Sequence, residues 1–408
     1  MIEATRYDVA IVGGGMVGAT LAVALADTTL NVALIEAVPF RSDSQPSYNA
    51  RCIALAEGSQ RIYSTLGLWP QLRAYTTPMA QIHISEKGNF GVTRLDAKAE
   101  GVAALGYVIE SRVLGNVLLE HLRAAPNIDI LCPAKLENIV IANGHAELSL
   151  GTVAGSRDIQ ADLVVAADGD HSFVRQQLGI EELRSDYDQT SIITTVTPSR
   201  CHNNVAYERF TPQGPIALLP LSENRCSLVF TVKNAEAGSI LQLSDKDFID
   251  RLTERFGHRL GDFVRIGPRK AYPLTFSRAK EHVRQRLALI GNAAHTLHPI
   301  AGQGFNLGLR DVALLAQTVL DAKRANQDIG ALCTLDAYKR WRDHDHARVI
   351  AFTDGLARVF SNTIGLFSLA RGAGLVLSDI CPPIKSQLVR QSMGLSGPQP
   401  RLASGLPL

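Results

Sequence analysis

A glycine-rich turn between an apolar run and a helical segment constrains the fold of this chain more than any other feature. The run from Tyr7 to Val12 is too short for a helix and rich in β-branched residues, which is typical of a buried parallel strand. The turn at residues 13–18 has the pattern Gly-x-Gly-x-x-Gly. Alanine and leucine dominate residues 16–26, which favours a helix, and residues 31–36 form a second apolar run. The sequence therefore predicts a βαβ unit at its start.

Each glycine of this pattern has a physical reason. The first allows the tight turn, the second lets a pyrophosphate approach the backbone, and the third lets the helix pack on the strand. The free N–H groups at the start of the helix favour an anion there. An acid at the end of the second strand accepts hydrogen bonds from ribose hydroxyls. The residues predicted to bind a dinucleotide are Gly13, Gly15, Met16, Val17, Gly18 and Glu36. The motif leaves open whether the dinucleotide is NAD or FAD.

A second segment favours a flavin. Residues 287–290 form a short buried strand, a turn of small residues follows, and residues 298–308 open a helix. Small residues let the backbone touch a flat heterocycle, and a helix that starts near Gly304 presents N–H groups to its pyrimidine end. The alternative is a plain glycine-rich loop with a conventional helix start. The candidate binding residues here are Asn292, Pro299, Gly302, Gly304, Phe305 and Asn306.

A third candidate is the pair Asp168-Gly169, which follows the buried strand at residues 163–167. A carboxylate at the end of a strand in this sheet would lie near the cofactor or its loops. The alternative is a capped turn with no binding role.

Composition limits the remaining possibilities. The chain has 408 residues, of which 41 are Lys or Arg and 39 are Asp or Glu, so its formal net charge is +2. This length predicts two domains, or a large domain with an embedded one. A nearly neutral balance supplies no electrostatic basis for binding nucleic acid. The longest basic cluster, at residues 339–342, lies among acids and is typical of a solvated helix face.

The cysteines and the C-terminal third carry weaker signals. Six scattered cysteines without a C-x-x-C pair indicate reduced, buried thiols in a cytoplasmic protein, and no Cys/His spacing predicts a metal site. The weakly charged segment Val359–Ser378 is interrupted by glycines, which favours a buried or membrane-surface helix over a membrane-spanning one. Residues 394–408 are rich in glycine, serine and proline and are predicted to form a flexible tail.

The order of the elements predicts an α/β fold in which a second domain interrupts the first. Hairpin signals occur at Asn143-Gly144 and between the apolar runs 216–221 and 226–232, and residues 183–275 are rich in strands. We expect a Rossmann-like nucleotide-binding domain at 1–75, 107–182 and 276–345. A substrate domain built on an antiparallel sheet would comprise 76–106 and 183–275, followed by C-terminal helices at 346–393.

Several motifs together resemble a known family. The glycine motif at 13–18, Asp168-Gly169 and the segment Gly291-x-Ala293-Ala294-His295 occur in the order found in the group A flavin monooxygenases, the para-hydroxybenzoate hydroxylase superfamily. Longer segments at 51–55, 210–220, 225–229 and 298–308 resemble the ubiquinone-biosynthesis hydroxylases. The resemblance covers roughly residues 5–350.

The resemblance implies how FAD would be held. FAD would lie extended, with its adenine end at Glu36 and its ring under the 298–306 loop. Arg51 and Arg112 match positions that contact the pyrophosphate and ribityl region, although each alone could equally be a surface arginine. Asn292 departs from the aspartate usual in this superfamily, and an asparagine can still accept hydrogen bonds from ribityl hydroxyls.

The resemblance also implies a reaction. NAD(P)H would reduce FAD and would bind transiently, because the chain has one dinucleotide fingerprint. An oxygen atom of O2 would then enter the ring of a phenol with a polyprenyl tail, 2-polyprenyl-6-methoxyphenol. A base for the phenol is not identified by the sequence. Tyr207, His83 and His298 are candidates that are more often structural.

Three alternatives stay open: another ring hydroxylase of the same pathway, a flavin reductase or dehydrogenase acting on an isoprenoid chain, and a non-catalytic FAD-bound scaffold. A lipid-tailed substrate needs an apolar groove or a membrane surface, so we expect a cytoplasmic enzyme with peripheral contact to the inner membrane. Contacts with other ubiquinone-biosynthesis proteins and formation of a homo-oligomer are left open.

Overall fold

A computed structural model of the chain describes residues 5–40, 51–142, 144–361 and 365–408. Its strands are β1 (Thr5–Val12), β2 (Val32–Ile35), β3 (Cys52–Ala56), β4 (Thr76–Met79), β5 (Gln81–Glu86), β6 (Val92–Asp96), β7 (Gly106–Glu110), β8 (Ile128–Leu131), β9 (Ala134–Ile141), β10 (Ala146–Thr152), β11 (Gly155–Ala166), β12 (Glu182–Pro198), β13 (Val205–Phe210), β14 (Ile216–Pro220), β15 (Cys226–Lys233), β16 (Phe263–Ile266), β17 (Lys270–Ala279), β18 (Val283–Arg284), β19 (Leu287–Leu289) and β20 (His295–Thr296). Its helices are α1 (Met16–Ala24), α2 (Glu57–Thr65), α3 (Trp69–Arg73), α4 (Ser111–Ala124), α5 (Phe173–Gln177), α6 (Asn234–Leu241), α7 (Asp245–Phe256), α8 (Gln303–Arg324), α9 (Leu332–Ser361), α10 (Gly365–Ile380) and α11 (Pro382–Ser392).

The first sheet is built around β1. This strand runs parallel to β2 on one side and to β11 on the other, so that Ala10 lies opposite both Ala33 and Val164. β8 extends the parallel arrangement beyond β2, and β19 extends it beyond β11. Strands that are apolar on both faces suit the interior of such a sheet. The predicted βαβ unit is therefore present, with α1 as its crossover helix.

Both faces of this sheet are covered. Val9 and Ile11 pack in one apolar cluster with residues of α1, α4 and α8. Ala10 and Val12 point to the opposite face, where they share a second cluster with residues of the β9–β10 pair. β9 and β10 are antiparallel, as the hairpin signal predicts, and Asn143 itself lies outside the described residues.

The second sheet has nine strands in the order β20-β17-β12-β15-β14-β13-β5-β6, with β16 also paired to β12. β14 and β15 form the predicted antiparallel hairpin. Most pairings in this sheet are antiparallel, whereas β5 and β13 run parallel to each other. The expected fold class, a Rossmann-like domain with an inserted, largely antiparallel sheet, is confirmed.

A third, three-stranded sheet has the order β3-β7-β4. β4 lies within the segment that the sequence assigns to the substrate domain, yet it pairs with β7. The exact domain boundaries stay a prediction.

The flexible tail expected at residues 394–408 is a wrong prediction. Leu402 and Ala403 are each 1% exposed and belong to the main apolar cluster. The Thr65 hydroxyl donates to the Leu402 carbonyl at 2.9 Å, and the Arg401 N–H donates to Gln317 at 3.0 Å. The prediction relied on the glycine and proline content of the segment and overlooked two apolar side chains, which pack between α2 and α8.

Other expectations also need correction. The basic cluster at 339–342 is not a wholly solvated face, because Arg342 is completely buried on α9. The cysteines are not all buried, since Cys201 and Cys333 are exposed. The weakly charged segment Val359–Ser378 is divided between α9 and α10. Among the residues that the structure describes, we find no helix of the length and apolarity needed to cross a bilayer.

We expect Leu402→Ala to destabilise the protein by about 2–5 kcal/mol, because it opens a cavity in the core. Leu406→Ala is the matched control, since Leu406 is 55% exposed, and it should change the free energy of unfolding by less than about 0.5 kcal/mol. Chemical denaturation of both variants measures this difference. Equal stability of the two would show that the C-terminal segment does not pack on the core in solution.

Candidate active site

A cavity of about 1150 Å³ extends from the carboxyl edge of the first sheet to the second sheet. At one end its wall consists of the glycine turn after β1 and the beginning of α8. At the other end it consists of residues from β5, β13, β14, α10 and α11. Ligands of open α/β sheets bind at this carboxyl edge. The volume exceeds that of a typical single small-ligand site.

The glycines of the turn are required by close packing. A Cβ atom on Gly13, whose φ is +106°, would lie 2.4 Å from the Ala167 carbonyl oxygen. A Cβ on Gly18 would lie 2.0 Å from the Gly13 carbonyl oxygen. Gly13 and Gly18 therefore shape the turn from behind, whereas Gly15, Met16 and Val17 line the cavity. The first N–H groups of α1 begin at this wall, which suits an anion.

Two carboxylates lie behind the turn. Glu36 is buried and accepts hydrogen bonds from the N–H groups of Gly14 and Val38, each at 2.8 Å. Asp168 accepts from the Val174 N–H through Oδ2 at 3.1 Å. Its Oδ1 atom is buried and has no hydrogen-bond partner among the described residues, and burial raises the pKa of Asp168. A buried oxygen of this kind needs a donor.

The start of α8 is open towards the cavity. Gly302, at φ +60°, precedes the helix, and Gly304 lies in its first turn. Apart from the adjacent residues and the backbone of its own helix, a Cβ atom on Gly304 would meet no protein atom within 4 Å. Gly302, Gly304 and Phe305 line the cavity together with Asn292 and Pro299.

Asn306 also lines the cavity, but its side chain is fully engaged within the protein. Its Oδ1 atom accepts from the Ala56 N–H at 2.8 Å and the Ser59 hydroxyl at 2.7 Å. Its Nδ2 atom donates to the carbonyl oxygens of Ala54 and Gly302. Asn306 therefore joins the start of α8 to the β3–α2 connection, and this is the role that its contacts define.

Asp311 anchors the turn between β19 and β20. This completely buried residue of α8 accepts from the Gly291 N–H and from His295, each at 2.9 Å. Its other oxygen accepts from His346 at 2.9 Å and from Arg342 at 2.6 Å. Although burial opposes ionisation, Arg342 and the two histidines hold the pKa of Asp311 well below its usual range. An ionised, saturated carboxylate thus fixes the backbone next to Asn292.

His295, Asp311 and His346 also offer ligand atoms that all lie within 4.8 Å of one another. The guanidinium of Arg342 already neutralises this carboxylate, and its positive charge repels a cation. The cluster therefore works as a hydrogen-bonded ion pair rather than as a metal centre.

The two predicted phosphate arginines occupy different environments. Arg51 lines the cavity, and its guanidinium lies 5.1 Å from the centre of the Tyr272 ring. The side chain of Arg112 is 57% exposed and its Nε donates to Glu110 at 2.7 Å. Arg112 is not among the described residues of the cavity wall.

The three candidate bases lie in different environments, and their role stays a prediction. His83 contacts Arg259, and burial together with this guanidinium lowers its pKa to about 4. Burial lowers the pKa of His298 to about 4 as well, and its Nε2 lies 3.2 Å from Gln189. Tyr207 contributes to the cavity wall, yet its ring packs edge-on against Phe256. Burial raises the pKa of Tyr207, which disfavours its ionisation.

The end of the cavity away from the glycine turn is largely apolar. Side chains from the second sheet and from the two helices α10 and α11 form its wall. These include Ile82, Ile84, Phe210, Leu219, Leu375 and Leu388. We call this part of the cavity the apolar limb. α10 is held against β6, since the Thr93 hydroxyl donates to the Leu375 carbonyl at 2.8 Å.

These observations fit a bound FAD. The helix N-termini suit a pyrophosphate, the unpartnered Asp168 oxygen suits a hydroxyl donor, and the lack of a side chain at Gly304 suits a flat ring. The apolar limb leaves room for a second, lipophilic molecule.

Known proteins support this interpretation. A sequence profile described as "FAD binding domain" matches residues 6–353. The ubiquinone hydroxylase UbiL of Rhodospirillum rubrum is 39% identical over 404 residues, covering 98% of this chain and 93% of that protein. The 3-demethoxyubiquinol 3-hydroxylase of Escherichia coli is 32% identical, covering 95% of this chain and 98% of that protein.

Solved structures agree on the fold. The p-nitrophenol 4-monooxygenase PnpA of Pseudomonas putida superimposes with a TM-score of 0.80 at 20% identity, covering 97% of this chain and all of that chain. PqsL of Pseudomonas aeruginosa superimposes with a TM-score of 0.76 at 21% identity, covering 91% of this chain and 99% of that chain.

The fold and the cavity define this chain as a FAD-dependent monooxygenase. Among these enzymes, it belongs to the family of FAD-dependent ubiquinone-biosynthesis hydroxylases.

Sequence reasoning missed two features of this site. The first is the cluster around Asp311. His295 lies 16 residues and His346 lies 35 residues from Asp311 in the sequence, so no local motif predicts that they meet. Glu208 lies on the cavity wall, on β13. The sequence could have shown this position, because Glu208 is two residues from both Ala206 and Phe210, which are buried, and alternate residues of a strand point to the same face.

We expect Gly304→Val to prevent FAD binding without unfolding the protein, because a Cβ atom at this position projects into the cavity and meets no atom of another element. Gly238→Val, in helix α6, is the matched control, since a Cβ there also meets nothing within 4 Å. Absorbance near 450 nm in the purified proteins measures the bound flavin. Flavin content should fall below about a tenth of wild type for Gly304→Val alone, with similar unfolding temperatures for both variants. Full flavin content in Gly304→Val would contradict this assignment.

Proposed function

We propose that this chain hydroxylates the aromatic ring of a phenol that carries a polyprenyl tail, using NAD(P)H and O2, in the biosynthesis of ubiquinone. The observation that carries the proposal is a single cavity that is polar at the glycine turn and apolar where it passes between the second sheet and α10–α11. Such a cavity accommodates a dinucleotide at one end and a lipophilic molecule at the other.

The residues proposed to hold FAD lie mainly along the polar end. The N–H groups at the starts of α1 and α8 would stabilise negative charge on the pyrophosphate and on the ring. The full set is Gly13, Gly15, Met16, Val17, Gly18, Glu36, Arg51, Arg112, Asp168, Asn292, Pro299, Gly302, Gly304, Phe305 and Asn306. When bound, FAD supplies the redox chemistry that links NAD(P)H and O2 to oxygen insertion.

The protein positions the phenol and excludes water. Asp311 and Asn306 fix the two backbone segments against which the cofactor would rest. The apolar limb takes up the ring and the first isoprene units, since burial of apolar surface favours them over solvent.

The substrate determines which ring position receives the new hydroxyl group. We propose 2-polyprenyl-6-methoxyphenol as the substrate. The name of the Escherichia coli relative, 3-demethoxyubiquinol 3-hydroxylase, specifies a different substrate, so another ring hydroxylase of the same pathway is the second candidate.

We expect the purified, FAD-loaded chain to oxidise NAD(P)H and to convert 2-geranyl-6-methoxyphenol into a product that gains one oxygen atom. With isotopically heavy O2 the added mass should be that of the heavy isotope, because the oxygen derives from O2. Mass spectrometry of the product measures both, and parallel reactions with NADH and NADPH identify the reductant. A demethoxyubiquinol analogue in the same assay identifies the second candidate.

Oxidation of NAD(P)H with no oxygenated product from any phenol would instead indicate a flavin reductase. A chain that binds FAD but oxidises no reductant would indicate a non-catalytic scaffold.

We further propose that the enzyme takes its substrate from a membrane surface. Leu377 and Ile380, at the end of α10, are 51% and 70% exposed, and Ile384 on α11 is 40% exposed. They neighbour Leu375 and Leu388, which line the apolar limb. Exposed apolar residues beside a lipid-binding cavity favour contact with a bilayer.

We expect the double variant Leu377→Ser/Ile380→Ser to bind liposomes of phosphatidylethanolamine and phosphatidylglycerol about tenfold more weakly than wild type, because two apolar contacts are lost. Val264→Ser is the matched control, since Val264 is 65% exposed on β16. Co-sedimentation measures binding. Equal pelleting of the two variants would remove α10 from the proposed membrane contact.

A further inference from the structure

Glu208 lies in the middle of an otherwise apolar row that crosses the second sheet. Its neighbour on β5 is Ile84 and its neighbour on β14 is Ala217. The row continues from Ala217 to Val229 on β15 and to Ile193 on β12. All five residues line the cavity. Side chains directly opposite one another across a sheet point to the same face, so Glu208 is directed into the apolar limb.

A carboxyl group is unusual for this wall. Among the described residues that line the cavity, Glu208 is the only acidic and Arg51 the only basic side chain. The other titratable groups there are Cys52, Tyr207 and Tyr272. Burial raises the pKa of the Cys52 thiol to about 11, so it stays neutral at physiological pH. Arg51 stacks over the ring of Tyr272.

Neighbouring strands also place titratable groups near β13. Glu86 of β5 pairs with Phe210 and therefore shares the face of Glu208, but it does not line the cavity. The other groups lie on the opposite face. The ring of Tyr207 packs against His83 and Phe256, with 5.6 Å between ring centres in both pairs. Since alternate residues of a strand point to opposite faces, the side chains of Tyr207 and Arg209 point away from that of Glu208, although Tyr207 still contributes to the cavity wall. No hydrogen-bond or ion-pair partner of the Glu208 carboxyl lies among the described residues.

An unpartnered carboxyl in an apolar cavity is costly for folding. Burial alone raises its pKa from 4.5 to about 8. A structural glutamate in a sheet would have a lysine, an arginine or a backbone N–H to bind. The arrangement here instead resembles that of general bases, whose pKa values burial brings close to the working pH.

We propose that Glu208 binds the phenolic hydroxyl of the substrate and accepts its proton. This inference rests on the proposed function, because it presumes that a phenol occupies the apolar limb. The hydroxyl is the polar group that every candidate substrate shares, and Glu208 is the acceptor that the sheet presents to it.

The proton transfer is balanced within the pair. The O–H bond of the phenol breaks, its electron pair stays on the phenol oxygen, and a new O–H bond forms on a carboxylate oxygen of Glu208. The negative charge moves from the carboxylate to the phenol, so the total charge in the limb is unchanged. The ring becomes richer in electrons, which favours attack on an electrophilic oxygen.

The pH dependence follows from the raised pKa. Below pH 8 the carboxyl is mostly protonated and cannot accept a proton, and it becomes an acceptor as the pH rises through about 8. For the wild-type enzyme, kcat/KM should therefore rise between pH 6.5 and 8.5. Glu208→Gln keeps the size and a hydrogen-bond acceptor but cannot take a proton, so its kcat/KM should be at least about 100-fold lower and flat over this range.

The experiment uses the full-length, FAD-loaded chain and the probe 2-geranyl-6-methoxyphenol. Product formation is measured against pH for wild type, Glu208→Gln and the control Glu120→Gln, which changes an exposed residue of α4. Flavin content and unfolding temperature show that each variant is folded. Binding is measured separately, as the affinity for the probe relative to its O-methyl ether, which cannot donate a hydrogen bond.

Wild type and Glu120→Gln should prefer the phenol over the ether by about tenfold or more at pH 9, and Glu208→Leu should lose this preference. A Glu208→Gln enzyme with the rate and pH profile of wild type would overturn the proposal while leaving the proposed function intact. A wild-type enzyme that neither binds nor oxygenates any phenol would overturn the proposed function, and the role of Glu208 with it.

Discussion

The geometry of the cavity depends on one buried carboxylate. Asp311 receives hydrogen bonds from a backbone N–H, two histidines and an arginine, and these groups belong to the turn after β19, to β20 and to α9. A buried ion pair stabilises little by itself, but removing one partner leaves an uncompensated charge and costs about 3–5 kcal/mol. The cluster therefore specifies one arrangement of these elements. Gly291, at φ +57°, donates its N–H to Asp311, and the next residue, Asn292, lines the cavity.

The two ends of the cavity are lined by different chemical groups. At the polar end, backbone groups and helix N-termini form the wall, and their positions are set by hydrogen bonds within the protein. Backbone donors fixed in advance lose little entropy when a cofactor binds, so they stabilise charge efficiently. At the apolar end, the wall consists of side chains on a sheet and on two helices. Such a wall selects by shape and hydrophobicity, which suits a molecule recognised mainly by its tail.

Much of the fold could be predicted from local pattern. The strand–turn–helix at 5–24 and the β14–β15 hairpin follow from periodicity and turn chemistry alone. Features that depend on distant residues could not be predicted in this way. Arg342 was expected on a solvated face because its neighbours in sequence are charged, yet Asp311 and Asp345 hold it in the interior. The C-terminal segment was expected to be loose because its composition says nothing about the gap that Leu402 fills. Glu208 lies between these cases. The alternation along β13 indicates which face of the strand it occupies, but not that this face lines a cavity.

The strand order of the first sheet has a consequence for how the chain is synthesised. β1, β11 and β19 are neighbours in space, although β19 begins 275 residues after β1 ends. β10 covers the first half of this edge of β11, whereas residues 164–166 pair with β19. Until the ribosome has released β19, these three apolar residues present an open edge to other chains, and such edges promote aggregation. The long sequence separation also makes pairing slow, because a large loop must close first. Nascent chains of this enzyme therefore face a prolonged period of exposure, and truncation before Leu287 would make that exposure permanent.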